Sequence, residues 1–339
     1  MKLAVFAYSR RGCETARRVR GFFAGHDVSL YAPPRLEAED FLPLLPPYLT
    51  FYAPLFESCG ALIFVSAAGI AVRSVAPYVR DKRTDPAVLC LDELGRFVIP
   101  LLSGHIGGAN ALASALAEAL GATAVVTTAT DVNRRFSVDA WAAENGFVIG
   151  DMRAAKAVSS AILEGDVPVC CSLPVSGELP PGVVRGESGS VGIYIGWEKK
   201  EPFGITLRLI PRILHLGIGC RRGTGEEAIS RAVSEVLGGH GIDLRAVKCA
   251  ASVDLKADEP GLLDYCENNA LPFTVYGADR LRQVKGDFSS SAFVESVTGV
   301  DNVCERAALA EADELIIKKT AVNGVTVALA AEKTEVRFG

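Results

Sequence analysis

The sequence predicts a multidomain α/β protein with an N-terminal open parallel α/β sheet, an irregular middle segment and a C-terminal mixed α/β domain. At 339 residues the chain is too long for one ordinary hydrophobic core. Apolar strand patterns alternate with helical patterns towards both ends, and a Pro/Gly-rich stretch separates them. We therefore predict three regions, residues 1–134, 135–211 and 212–339.

In the first region, short continuous apolar runs alternate with amphipathic helical patterns. The predicted strands are residues 3–8, 28–31, 61–65, 88–92, 97–102 and 124–128, and the predicted helices are residues 14–23 and 108–120. Apolar strands separated by helices are typical of a parallel sheet that is covered on both faces.

The pattern changes after about residue 134. Helices are predicted at residues 138–145 and 154–163, and the Pro/Gly-rich residues 170–197 predict turns and short antiparallel strands. The last region predicts strands at 213–219, 247–253 and 273–276, helices at 225–237, 261–268, 292–297 and 303–312, and a closing hairpin around Asn323-Gly324.

Composition excludes several classes of protein. The net charge is −5 without a Lys/Arg block, which argues against a nucleic-acid partner. The longest apolar run, residues 61–72, is too short to span a bilayer, and residues 1–8 lack the features of a signal peptide. Nine cysteines without a C-x-x-C pair predict reduced thiols and a cytoplasmic location. Four histidines far apart in sequence predict no metal site built by the protein.

Three loops rich in small polar residues follow predicted strands of the first region: residues 66–74 ("SAAGIAVRS"), 103–110 ("SGHIGGAN") and 128–133 ("TATDVN"). Ligands of open α/β sheets bind beyond the carboxyl ends of the strands. We therefore expect one crevice lined by Ser66, Arg73, Ser103, His105, Asn110, Thr130 and Asp131. The alternative is that Ser103 and Asp131 only cap helices.

His105 is the candidate acid–base group of this crevice. Gly107 and Gly108 would let a ligand approach the backbone, and the helix that follows would present unpaired amides. A helix N-terminus also favours the neutral imidazole near pH 7, which could transfer a proton while the amides hold an oxyanion or a carboxylate. The alternative is a histidine that bonds a neighbouring carbonyl and has no catalytic role.

The stretch "LGIGCRRGTGEEAI" in the last region predicts a second anion site. Gly219, Arg221, Arg222 and Thr224 lie between a strand and a helix, a pattern that suits carboxylate or phosphate groups. Thr224 and Glu227 also predict a capping box, which needs no ligand. The glycine spacing fails the dinucleotide fingerprint, which weakens the hypothesis of a nicotinamide-dependent oxidoreductase, and the P-loop and G-x-S-x-G motifs are absent.

Taken together, the motifs resemble a known family. "PLLSGHIGGAN", "TTATD" and "FSVDAWA" are similar to the N-terminal region of the cobalt-precorrin-5A hydrolase (CbiG) family. "LGIGCRRGT", "ASVDLKADEPGLL" and "SSSAFVESVTGVDNVCERAAL" resemble its C-terminal domain. The resemblance covers almost the whole chain, and the Pro/Gly-rich segment takes the place of the family's variable central region.

The resemblance implies an enzyme of anaerobic cobalamin (vitamin B12) biosynthesis that hydrolyses a carbon–carbon bond. Water would open a δ-lactone on the macrocycle, and the two-carbon unit derived from the C20 position would leave as acetaldehyde, giving cobalt-precorrin-5B. The implied partner is an anionic cobalt tetrapyrrole, which would carry cobalt within the substrate, and no cofactor is expected. A homodimer and contacts with other enzymes of the pathway stay open, as does the alternative of a non-catalytic tetrapyrrole carrier or regulator.

For this reaction we predict His105 as the general acid–base and Asp131 as the group that orients it or activates water. Hydrogen bonds around the lactone would come from Ser103, Gly107, Gly108 and Asn110. The acetate and propionate arms of the macrocycle would bind Arg73, Arg221 and Arg222.

Overall fold

The computed structural model describes residues 1–81, 84–105 and 107–338. The chain divides into two compact units, Met1–Trp141 and Ala142–Gly339. The predicted boundaries after residues 134 and 211 stay predictions.

The first unit contains a seven-stranded sheet in the order β3-β2-β1-β4-β5-β6-β7. Its strands are β1 (Lys2–Ala7), β2 (Asp27–Ala32), β3 (Leu42–Pro43), β4 (Ala61–Val65), β5 (Ala87–Leu91), β6 (Phe97–Leu102) and β7 (Thr123–Ala124). All neighbouring pairs are parallel except β5 and β6. Six of these strands were predicted from the sequence, although β7 is shorter than the predicted 124–128, and β3 was not predicted.

Helices cover both faces of this sheet, as predicted. The helices before β7 are α1 (Arg10–Phe22), α2 (Tyr48–Phe51), α3 (Ala53–Ser58), α4 (Ala68–Val75) and α5 (Ala109–Leu120), and α6 (Ala129–Val132) and α7 (Val138–Glu144) follow β7. One core packs α1 and α5 against Leu3 and Val5, and the other packs α3 and α4 against Ala4 and Phe6. Because β1, β4 and β5 are apolar at nearly every position, they suit the centre of a sheet buried on both sides.

The direction of β6 decides where the polar loops lie. β6 pairs antiparallel with β5, and Leu102 lies opposite Val88 near the beginning of β5. The turn between them is closed by Asp92, whose Oδ1 accepts hydrogen bonds from the amides of Arg96 and Phe97. The end of β6 therefore lies at the opposite edge of the sheet from the ends of β1, β4 and β5.

The first sheet of the second unit has the strand order β11-β9-β12-β13-β8. The elements of this part of the chain are β8 (Val148–Ile149), α8 (Met152–Glu164), β9 (Val167–Cys171), β10 (Val175–Ser176), β11 (Val183–Arg185), β12 (Val191–Ile195) and β13 (Ile205–Ile210), of which β10 belongs to a separate two-stranded sheet. The prediction of antiparallel strands in this segment was wrong, because β9 pairs parallel with both β11 and β12. Turn residues indicate where strands end but not in which direction the next strand pairs.

The remaining sheet has the order β16-β15-β14-β18-β17 and mixes parallel and antiparallel pairs, as predicted. Its strands are β14 (Leu214–Gly219), β15 (Val247–Val253), β16 (Phe273–Tyr276), β17 (Glu314–Val322) and β18 (Val325–Ala331). Five helices accompany it: α9 (Glu226–Gly239), α10 (Pro260–Asn268), α11 (Ala278–Gln283), α12 (Ala292–Thr298) and α13 (Val303–Leu309). The short β19 (Val336–Arg337) pairs with β10.

The predicted hairpin around Asn323-Gly324 is confirmed as β17–β18. In the described part of the chain, no helix has the length and apolar character that crossing a membrane requires.

Candidate functional site

The structure brings two of the three predicted loops together and separates the third. Ser66 follows β4, while Ser103 follows β6 and donates its hydroxyl to the Asp85 carbonyl near the start of β5. The two loops therefore lie at opposite edges of the sheet, and the prediction of one crevice for all three was wrong. At the far edge, the Ser66 hydroxyl donates to the Ala67 carbonyl, and Arg73 donates to the Gly69 carbonyl.

In the loop from Ser103 to Asn110, backbone carbonyls accept hydrogen bonds from the amides at the start of α5. The amides of Gly108, Ala109 and Asn110 donate to the carbonyls of His105, Ser103 and Gly104, respectively. The expectation that these amides are unpaired and face a ligand was therefore wrong. Ile106, within the same stretch, lies outside the described residues.

The glycines of this loop are required by its own packing. A Cβ on Gly107 would overlap the Ser103 side chain and lie 2.9 Å from the Ser103 carbonyl oxygen. Gly108 has a φ of 75°, which favours glycine, and open space where a Cβ would stand. The structure thus gives Gly107 a packing role and Gly108 a conformational one, while their predicted contacts with the lactone stay predictions.

His105 lies between two carboxylates. Its Nε2 is 3.0 Å from Asp131 Oδ2, and its Nδ1 is 3.3 Å from Asp139 Oδ1. The hydroxyl of Thr130 is also 3.1 Å from Nε2. Asp139 is only 5% exposed, whereas the Asp131 side chain is 37% exposed. The buried Asp139 therefore contacts Nδ1 of the ring, and the accessible Asp131 contacts Nε2.

Asp131 is positioned by its neighbours. Asn110, which is buried at the start of α5, donates through Nδ2 to Asp131 Oδ2 at 3.0 Å and to the Thr128 hydroxyl at 2.6 Å. Burial alone would raise the pKa of Asp131, but hydrogen bonds from Thr128, His105 and Asn110 outweigh it and lower that pKa. Asp131 is thus an ionised acceptor beside the imidazole.

The protonation of His105 differs from the sequence prediction. The hydrogen bond with Asp139 raises the pKa of His105, burial opposes this, and the contact with Asp131 raises it further. The predicted direction of this shift was therefore wrong, because hydrogen bonds between the ring nitrogens and two carboxylates outweigh the effect of the helix N-terminus on the pKa of His105. The charged imidazolium can donate one N–H to each acid.

In the second unit, the predicted glycine–arginine motif lies at a cavity of about 450 Å³. Gly219, Arg221 and Arg222 line it, together with Lys256 and Lys319. Thr224 does not line it, and its hydroxyl donates to the Arg221 carbonyl at 2.7 Å. The predicted capping box was also wrong: α9 begins at Glu226, and its N-cap is Gly225, without a side-chain cap.

Several charged residues at this cavity already have partners. Glu259, which is 2% exposed, accepts from the Gly223 amide and from Lys256 Nζ at 2.7 Å and 2.8 Å. Arg222 pairs with Asp258 at 2.8 Å, and both side chains are more than 70% exposed. The Gly223 turn and Lys256 are therefore held by one buried carboxylate, while Arg222 is held only at the surface.

Sequence reasoning missed Asp139 as a site residue. It occurs in "FSVDAWA", a segment used only for the family resemblance, and it lies in the first turn of α7. Its sequence signal is a carboxylate eight residues after Asp131, which the short helix α6 and a turn bring back to the same histidine. Lys319 on β17 was also missed, because no local motif marks it.

In the described ranges 1–81, 84–105 and 107–338, no group of three or more His, Cys, Asp or Glu side chains is arranged to hold a metal ion. Both ring nitrogens of His105 face carboxylate oxygens at hydrogen-bonding distance. This arrangement suits proton transfer rather than metal ligation.

The fold and site define a multidomain α/β protein in which one histidine lies between two carboxylates. The family profile described as cobalamin synthesis G N-terminal matches residues 50–131, and the profile described as cobalamin synthesis G C-terminus matches residues 214–330. The chain is 33% identical to a cobalt-precorrin-5A hydrolase of Salmonella typhimurium, over 96% of this chain and 97% of the relative.

The chain is also 30% identical to a cobalt-precorrin-5A hydrolase of Priestia megaterium, over 96% of this chain and 94% of the relative. A crystal structure of a cobalamin biosynthesis protein G homolog from Sulfolobus solfataricus is 21% identical, covers 97% of both chains and superposes with a TM-score of 0.41. The chain belongs to the cobalt-precorrin-5A hydrolase (CbiG) family.

Proposed function

We propose that this chain is a cobalt-precorrin-5A hydrolase in which His105 carries out the proton transfers. The observation that carries the mechanism is the placement of His105 between Asp139 at Nδ1 and Asp131 at Nε2. The substrate follows from similarity over nearly the full chain to two hydrolases of that name. These relatives give the carrier alternative no support.

In the first step, water opens the δ-lactone. The exposed carboxylate of Asp131 accepts a hydrogen bond from the attacking water, while the His105 imidazolium donates a proton to the lactone ring oxygen as its bond to the carbonyl carbon breaks. The products are a hydroxyl group and a carboxylic acid. Asp131 takes the other proton of the water and passes it to solvent, and the carboxylic acid then ionises as well. Asp139 holds the ring in place throughout.

In the second step, the two-carbon unit leaves. The neutral imidazole takes the proton of the new hydroxyl, the carbon–carbon bond breaks, and the fragment departs as acetaldehyde. The electron pair stays on the macrocycle carbon, which then receives the proton from His105. One histidine thus serves both steps, and a proton from solvent restores its charged form.

The proposal also covers the source of the cobalt and the location of the activity in the cell. The substrate is an anionic cobalt tetrapyrrole, so cobalt enters with the substrate and the chain needs no resident metal. We place the activity in the cytoplasm, where the nine thiols, all free in the structure, would stay reduced.

The direct test is to incubate the purified protein with cobalt-precorrin-5A and to measure acetaldehyde with a coupled alcohol dehydrogenase. We expect acetaldehyde in an amount equal to the cobalt-precorrin-5B formed. Tight binding of the macrocycle without any acetaldehyde would instead favour the carrier alternative.

A further inference from the structure

The cavity of the second unit combines apolar walls with cationic side chains. Its apolar lining comes from β15, the turn after it, α12 and α13, and includes Val253, Leu255, Val294, Val297 and Val303. Two of these side chains are strongly exposed, Leu255 at 51% and Val297 at 60%. Exposed apolar side chains at the rim of a cavity are typical of a surface that a ligand covers.

The neutral polar groups of the lining are already used within the protein. Ser252 donates its hydroxyl to the Ile218 carbonyl, and Asn302 donates to the Ser289 carbonyl and to Glu305. Burial raises the pKa of the Cys220 thiol, so this group adds no negative charge. The charged side chains of the described lining are therefore all cationic.

Among the cations, Arg221 and Lys319 have no acidic partner within 4 Å in the described residues, whereas Lys256 is paired with Glu259. No aspartate or glutamate belongs to the described lining. An unpaired cation beside apolar walls is stabilised when an anionic group of a ligand binds it.

We propose that this cavity binds cobalt tetrapyrroles by an apolar edge of the ring and by a free carboxylate arm on Lys319 and Arg221. It therefore selects carboxylate arms over carboxamide arms. This inference rests on the proposed function, because it takes the macrocycle as the ligand.

The test compares two stable cobalt corrins by calorimetric titration: cobyrinic acid, whose arms are carboxylates, and cobinamide, whose arms are carboxamides. Wild type should bind the acid at least tenfold more tightly, and its affinity for the acid should fall as salt is added. Lys319→Met should weaken binding of the acid about tenfold and leave the amide unchanged.

Lys318→Met is the matched control, because the neighbouring Lys318 pairs with Asp287, is 62% exposed and does not line the cavity. It should bind both corrins like wild type. Circular dichroism checks that each variant is folded. If Lys319→Met unfolds, two further variants extend the test: Lys319→Arg, which keeps the charge, and Arg221→Gln. Arg221→Gln should also lose affinity for the acid, and Lys319→Arg should retain it.

Equal affinity of wild type for the two corrins, or unchanged binding of the acid by folded Lys319→Met, would overturn the inference. Because the titration requires no turnover, its result is independent of acetaldehyde release. A protein that selects the acid but releases no acetaldehyde would contradict the proposed hydrolysis and leave the binding inference standing.

Discussion

His105 is the residue on which the proposed chemistry depends most. His105→Asn keeps some hydrogen bonding to Asp131 and Asp139 but cannot exchange a proton near neutral pH. We expect acetaldehyde release to fall by about a hundredfold or more, the usual scale of general acid–base catalysis. The measurement is single-turnover acetaldehyde release from cobalt-precorrin-5A.

The matched control for this variant is His26→Asn. His26 lies in the same unit, is exposed and contacts only the chain's amino terminus among the polar groups described around it. It should turn over like wild type. Normal turnover by folded His105→Asn would make the histidine a structural part of the loop, and Asp131→Asn would become the decisive variant.

The protonation of His105 gives a second prediction at this scale. Because its pKa is raised above 6.5, the imidazolium persists to higher pH than in a free histidine, and lactone opening should slow as pH rises through that raised pKa. Asp139→Asn removes the largest cause of the shift, so the falling limb of the pH–rate profile should move to lower pH. An NMR titration of the His105 ring should move in the same direction.

The same shift has a stability consequence with a defined sign. The free energy that protonated His105 contributes to folding is fully present below pH 6.5 and is lost as pH rises through the folded-state pKa. Asp139→Asn should therefore destabilise the protein more at low pH than at high pH. The control is Asp27→Asn, an exposed change on β2. If the falling limb of the pH–rate profile stays in place in Asp139→Asn, Asp139 has no part in the mechanism.

At the scale of elements, the loop before α5 is held by glycine packing, and two neighbouring substitutions separate its requirements. Gly107→Ala places a Cβ against Ser103, so the loop that carries His105 must shift. A displacement of about 1 Å costs roughly a hundredfold in rate, which is the loss we expect in acetaldehyde release. Gly108→Ala meets open space and should cost only about 1 kcal/mol through its φ of 75°.

Gly121→Ala provides the control for strain alone. Gly121 ends α5 with a φ of 65° and also has open space for a Cβ. Its variant should lower the melting temperature about as much as Gly108→Ala and leave turnover unchanged. Turnover of Gly107→Ala at the wild-type rate would show that the loop tolerates the shift and that its packing does not position His105.

The elements also show how far sequence reasoning reached. The positions of β4, β6 and α5 followed from apolar periodicity, but the direction of β6 did not. The signal was present, because only five residues join β5 to β6, and a parallel pair needs a crossover of a dozen or more. Applying this length rule would have placed the Ser66 and Ser103 loops at opposite edges.

At the scale of the whole molecule, short sequence motifs predicted the residues that meet where two neighbouring strands end. His105, Asn110, Thr130 and Asp131 meet because β6 and β7 run parallel and end at the same edge. Asp139 and Lys319 were not predicted, because their contacts depend on how α7 and β17 pack rather than on a short motif. The raised pKa of His105 was missed for the same reason.

The last prediction concerns the metal content of the whole protein. We expect no stoichiometric zinc or iron in protein purified without substrate, because the described residues hold no cluster of ligands and His105 has both nitrogens beside carboxylates. Elemental analysis should detect cobalt only after cobalt-precorrin-5A is added, at one cobalt per bound macrocycle. EDTA treatment before the assay should leave acetaldehyde release unchanged. One zinc or iron per chain that is lost in His105→Asn or Cys220→Ser, together with inactivation by EDTA, would mean that a bound metal takes part and that the histidine–carboxylate mechanism is wrong.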